Sequence, residues 1–144
     1  MHMQESAQRA KDAALRLATL STATKNHALE AIAAALIEHR EHILEANCHD
    51  VTQATRLVER GALAKPLLDR LKLTEHKVLD MATGVRSVAG LPDPVGQALS
   101  TVELDTGLVL TQVTCPIGVI GAIFESRPDA VPQMPPCAGS PAMR

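Results

Sequence analysis

Aromatic side chains are almost missing from these 144 residues: Phe124 stands alone, with no Trp and no Tyr. A base-stacking platform for single-stranded nucleic acid needs several such rings, as does an aromatic sugar cleft, so both are excluded. An excess of positive charge is missing too. Fourteen Lys and Arg stand against sixteen Asp and Glu, a formal net charge of -2. That removes the basic footprint of a nucleic-acid binder. No apolar run reaches the roughly 18 residues of a membrane-spanning helix. The opening Met1-His2-Met3-Gln4-Glu5 has neither the basic start nor the apolar stretch of a secretory signal. Cysteine is sparse and odd in number, at three. That argues against a disulfide framework and for a reducing, cytoplasmic compartment.

What is present is unevenly spread. Of the 30 charged side chains, 24 precede residue 95, whereas Pro132, Pro135, Pro136 and Pro141 crowd the last 13 residues. The length fits one domain. It divides into a charged front, an apolar middle and a proline-rich tail.

The front, residues 1–94, predicts helices. Ala10, Ala14, Leu17 and Leu20 follow a 3.6-residue period. Ser21 or Thr22 can begin a second helix whose apolar stripe is Leu29, Ile32, Ala33, Leu36 and Ile37. Ile43, Leu44, Asn47 and Val51 continue a stripe, as one long helix or as two with a break near Arg40. Gly61 predicts a C-terminal stop. Thr74 predicts an N-cap for a helix from Glu75 to about Val88, with Val78, Ala82, Val85 and Val88 inward, ended by Gly90, Pro92 and Pro94.

Residues 95–115 predict a β-hairpin. Val95 to Glu103 and Gly107 to Thr114 flank the turn Leu104-Asp105-Thr106-Gly107. Residues 116–130 predict a strand and a loop. The unbroken apolar run Ile117–Phe124 has the character of a strand buried on both faces of a parallel sheet. Residues 131–144 predict an irregular tail, because interior prolines exclude a helix. The run Ile117–Phe124 therefore lacks a crossover and a partner strand.

Several residue clusters could carry chemistry. Cys48-His49-Asp50 lists a nucleophile, a base and an orienting acid, but neighbours on a helix point in different directions and cannot converge. His39 and His42 lack a third ligand at a metal-binding spacing, and a solvated charged face is the preferred reading. Gly118 and Gly121 lie inside the apolar run, where close packing explains them better than a phosphate loop. Cys115 and Cys137 have no adjacent base or dipole that would generate a thiolate. Glu125-Ser126-Arg127-Pro128 ends the apolar run, where ligands bind in open α/β sheets, and Arg127 can hold phosphate or carboxylate. From spacing alone this segment reads equally as a ligand loop or a surface turn.

Four segments together resemble the gamma-glutamyl phosphate reductases, also called glutamate-5-semialdehyde dehydrogenases, of the aldehyde dehydrogenase superfamily. Ile43-Leu44-Glu45-Ala46-Asn47-Cys48-His49-Asp50 is similar to the family's I-L-x-A-N-x-x-D, and Leu67–Thr74 to L-L-D-R-L-x-L-T. Leu91–Gly96 is similar to L-x-D-P-V-G, and Pro116–Pro128 to P-x-G-V-I-G-x-I-[YF]-E-[AS]-R-P. The likeness spans about residues 5–133 and the segments keep family order. A general aldehyde dehydrogenase is the lesser match, because those enzymes carry Pro-Trp-Asn where this chain has Glu125-Ser126-Arg127-Pro128.

The resemblance implies an α/β fold: N-terminal helices of a cofactor domain, a hairpin from a bridging arm through which copies associate, and the first strand of an incomplete Rossmann-type domain. It implies NADPH-dependent reduction of gamma-glutamyl phosphate to glutamate 5-semialdehyde, a step of proline synthesis. In the family a cysteine thiolate displaces phosphate and NADPH delivers hydride. It implies Phe124, Glu125, Ser126, Arg127 and Pro128 as cofactor-binding residues. Arg127 takes the place of a superfamily asparagine, and Asp129 stands where the family often has asparagine. Cys48, Cys115 and Cys137 do not match the motif of the catalytic cysteine. No metal is implied. The 144 residues alone are expected to be inactive, and the tail after Gln133 is expected to be out of frame. A non-catalytic helical assembly module is the alternative.

Overall fold

The computed structural model describes residues 3–137. Within them are six helices and one two-stranded antiparallel sheet, in the order α1 (Met3–Leu17), α2 (Thr22–Glu38), α3 (Arg40–Glu59), α4 (Lys65–Leu71), α5 (Glu75–Ala89), β1 (Ala98–Asp105), β2 (Leu108–Val113) and α6 (Ala130–Cys137).

Local chemistry sets most helix ends. Ser21 caps α2 by accepting from the Thr24 amide at 3.2 Å, and Thr74 caps α5 by accepting from the Lys77 amide at 3.3 Å. The break near Arg40 falls at His39, so the stripe continues on a second helix. Gly61, at φ +70°, ends α3: its amide donates to the Val58 carbonyl and the Ala62 amide to the Leu57 carbonyl. This paired closure favours glycine at the left-handed position.

The core is narrow and lies between α2 and α5. Ala33, Ala82 and Val85 are buried, with Leu29, Leu36 and Ile37 packed against them. Val78 and Val85 are the largest side chains buried completely. Each contributes roughly 1.5–3 kcal/mol of burial free energy. Small residues at the contact let the two helices approach closely. One ion pair joins the two helices directly, Glu30 with Arg86 at 3.2 Å; Lys25 of α2 pairs with Asp93 beyond α5 at 2.8 Å, and Arg40 of α3 pairs with Glu75 of α5 at 3.2 Å.

Three features depart from the sequence reading or add to it. The α1 stripe is not covered, since α1 buries no residue and Leu17 is exposed. Val88 is half-buried, and Met81 takes a buried place in α5 that the period had not assigned. A further helix, α4, occupies Lys65–Leu71, with Pro66 in its first turn, where its missing N–H removes no helical bond.

The hairpin forms between Ala98 and Val113, tighter at the turn than expected. Leu104 and Asp105 are in the strand, and only Thr106 and Gly107 bridge Asp105 to Leu108. Gly107 supplies φ +78° at that turn. Both faces of both strands are exposed.

The run Ile117–Phe124 is not a strand in this structure. It is extended irregular chain, exposed throughout, and it pairs with no strand among the described residues, whereas a strand needs that ladder. The tail is not wholly irregular either. Residues 130–137 form α6, although Pro132, Pro135 and Pro136 lie within it. Pro132 falls in the first turn, whose amides have no helical acceptor anyway. The later prolines forgo bonds, and packing of α6 on α5, with Ala130 buried, offsets that loss. Residues 138–144, with Pro141, lie outside the described residues.

Candidate functional site

The segment Phe124–Pro128 leads directly into α6, and the Ala130 amide donates to the Arg127 carbonyl at 3.1 Å. Ser126 adopts φ +52°, the one positive φ among the described non-glycine residues. A non-glycine side chain in this region is uncommon, and such positions cluster at functional turns. Phe124 and Glu125 are exposed, while Ser126 and Pro128 are half-buried. The Arg127 guanidinium lies 3.5 Å from Asp129 Oδ2 in a solvent-exposed ion pair.

Arg127 and Asp129 line an open groove of about 480 Å³ with Arg70, Leu73 and Lys77. The groove joins three separate elements. Arg70 comes from the last turn of α4, Lys77 from the first turn of α5, and Arg127 from the loop before α6. Lys77 is anchored by its ammonium donating to the Lys72 carbonyl at 2.6 Å.

Asn47 aligns this assembly from beneath. It is buried, its Nδ2 donates to the Leu71 carbonyl at 2.9 Å, and its Oδ1 accepts from the Leu73 amide at 2.9 Å. Both bonds hold the link between α4 and α5. A smaller apolar groove of about 200 Å³ runs beside it, lined in part by Leu36, Ile43, Met81 and Val131.

The other sequence candidates do not assemble. Cys48, His49 and Asp50 lie on successive positions of α3, all exposed. His39 sits at the junction of α2 and α3 while His42 is in the first turn of α3, so the two do not share one helix. Among the described residues no three His, Cys, Asp or Glu side chains gather closely enough to hold a metal. Gly118 and Gly121 are not close-packed: an added Cβ would meet nothing within 4 Å at either. Gly118 serves its backbone instead, at φ +101°. Cys115 is exposed, and the side chain of Cys137 lies outside what the structure describes.

The structure places Arg127, singled out in the sequence, in one groove with Arg70 and Lys77, which the sequence did not single out, and Asn47 supports the link between them. Arg70 and Lys77 lie inside or beside segments already singled out, yet seven residues and a helix break separate them. No local period signals that they face one groove with a loop 50 residues further on.

No family model matches the chain. It is 55% identical over 126 residues to the gamma-glutamyl phosphate reductase of Methanosarcina mazei, covering 88% of this chain and 28% of that protein. It is 54% identical over 127 residues to that of a Synechococcus strain, again covering 88% and 28%. Among solved structures, the gamma-glutamyl phosphate reductase of Saccharomyces cerevisiae superposes with a TM-score of 0.85 at 38% identity, covering 94% of this chain and 34% of that one. That of Thermotoga maritima gives 0.70 at 36% identity, covering 79% and 27%. The chain thus spans less than a third of the length of these curated relatives. Over most of its length, it is similar in sequence and fold to the N-terminal part of the gamma-glutamyl phosphate reductases.

Proposed function

We propose that this chain supplies the N-terminal helices, the association arm and one ligand loop of an NADPH-dependent reductase that converts gamma-glutamyl phosphate to glutamate 5-semialdehyde. The observation that carries the reading is identity above one half with proteins of that name, joined to a matching fold.

NADPH, when bound, supplies the hydride. Of this chain's residues, Phe124, Glu125, Ser126, Arg127 and Pro128 would line it. Their chemistry fits. Phe124 presents an exposed ring for a flat heterocycle, and Arg127 presents a guanidinium to an open groove for a phosphate. Ser126 turns the backbone so that both lie on one short segment. The hairpin, exposed on both faces with Leu99, Val102, Leu108 and Leu110 among its uncovered side chains, supports association with another copy.

The nucleophile of the reaction is not assigned to Cys48, Cys115 or Cys137. On this reading the 144 residues alone do not turn over, and the loop Phe124–Pro128 is their part of the NADPH site. The test measures NADPH fluorescence on titration with the chain, and NADPH consumption with freshly generated gamma-glutamyl phosphate. Binding that weakens in Arg127→Gln, with no consumption, is expected. Binding indifferent to Arg127→Gln sinks the loop assignment, and turnover by the chain alone sinks the inactive reading.

A further inference from the structure

We infer that Arg70, Lys77 and Arg127 form a phosphoryl-binding subsite, taking the dianionic phosphate of a phosphorylated small molecule. The inference deepens the reading of Phe124–Pro128 as a ligand loop and rests on it for Arg127, but Arg70 and Lys77 lie outside that loop.

Charge balance is the first argument. The groove has three cations and one carboxylate, Asp129, which leaves two positive charges in excess. Neighbouring acids do not cancel them. Asp69 is engaged by Lys72 at 3.1 Å and Glu75 by Arg40 at 3.2 Å. Among the described residues neither Arg70 nor Lys77 forms an ion pair. A phosphate monoester carries about -1.5 to -2 at neutral pH and three acceptor oxygens, which matches this surplus, whereas a carboxylate carries one charge.

Geometry is the second argument. The three cations come from three elements yet line one groove. Lys77 is anchored by donating to the Lys72 carbonyl, and Arg127 lies in an exposed ion pair with Asp129. The Asn47 bonds to the link between α4 and α5 fix the distance between Arg70 and Lys77 along the chain. Preorganised donors lose less freedom on binding than mobile surface lysines do. The groove, at about 480 Å³, is also the size of a metabolite site rather than a gap between side chains. Leu73 gives it one apolar wall.

The phosphate could belong to an acyl phosphate or to the 2′-phosphate of NADPH, and the test separates these sources. Backbone amide NMR shifts of the full chain are followed on titration with inorganic phosphate, sodium chloride holding ionic strength constant. Saturable shifts around Leu73, Lys77 and Arg127 are expected. The variant R70Q/K77Q, altered only at exposed positions, should weaken binding about tenfold. Lys11→Gln on α1 removes the same kind of charge elsewhere and should change nothing. Circular dichroism verifies that each variant is folded. Non-saturating shifts, unchanged affinity in R70Q/K77Q, or equal weakening by Lys11→Gln each overturn the subsite. The second arm compares acetyl phosphate with acetate, and NADPH with NADH. Binding of either phosphorylated member through Arg70 and Lys77 supports the subsite and names its source. Success with acetyl phosphate and failure with NADPH keeps the subsite while removing the cofactor role of Phe124–Pro128. Failure of both leaves an adventitious ion only, and the inference falls.

Discussion

Replacing Asp93 by alanine removes three bonds at once, at the point where α2 meets the chain leading to the hairpin. Asp93 Oδ2 accepts from Lys25 Nζ at 2.8 Å and from Thr22 Oγ1 at 3.1 Å, and Oδ1 accepts from the Val95 amide at 3.0 Å. The Asp93 and Lys25 side chains retain only 16% and 25% of their exposure. The pair therefore falls between a surface ion pair, at about 0–1 kcal/mol, and a buried one, where breaking costs about 3–5 kcal/mol. With the charged bond discounted for that residual exposure and the Val95 bond added, Asp93→Ala should destabilise the chain by about 3 kcal/mol. Asp93→Asn keeps an acceptor for Val95 and should cost about half as much. Urea unfolding followed by circular dichroism measures both.

The acid limb gives an independent check. The Lys25 hydrogen bond, then the Val95 amide, hold the Asp93 carboxyl below its ordinary pKa, against a smaller opposing effect of burial. The unfolded chain therefore binds more protons in this range, and stability rises with pH. The contribution is complete above the ordinary Asp pKa, about 3.9, and is lost as pH falls through the lower folded value. Asp93→Asn should lack this component, so the difference from the parent should shrink on acidification. A neutral-pH loss below about 0.5 kcal/mol in Asp93→Ala would refute the reasoning. So would additivity of Lys25→Met with Asp93→Asn in a double-mutant cycle, because a contacting pair must couple.

Other substitutions test the parts around the groove. Asn47→Ala leaves the Leu71 carbonyl and Leu73 amide without their partner; a loss of about 2 kcal/mol is expected, and hydrogen exchange at Leu73 should accelerate. Unchanged exchange at Leu73 would argue against Asn47 as the support of that link. Gly61→Ala meets no steric contact but places an L side chain at φ +70°, so about 1 kcal/mol should be lost in thermal melts, and a stabilised variant would contradict the closure described for α3. Thr74→Ala removes the α5 cap and should cost about 1 kcal/mol, with Thr74→Ser close to neutral.

Much of the helical front was legible because its signals are local. Ser21, Thr74 and Gly61 satisfy or close helix ends through groups three to five residues away, so their roles follow from residue type and position alone. The α2 stripe was legible for the same reason, since a 3.6-residue period is written along the chain itself. The loop at Arg127 was visible as a polar break after an apolar run. The short helix α4 escaped, although Pro66 in its first turn and the spacing of Leu67, Leu68 and Leu71 carried the signal.

The sequence by itself determined the starts of α2 and α5, the end of α3, the hairpin and the likeness to a reductase family, because each rests on neighbouring residues or on ordered motifs. Tertiary structure decided the rest. It left Ile117–Phe124 extended and unpaired, since a strand exists only with an edge to bond. It placed α6, with its three prolines, against α5, a contact between distant segments that local propensity does not register. It also brought Arg70, Lys77 and Arg127 to one groove, since charges distant in sequence meet only when α4, α5 and the loop before α6 are packed together.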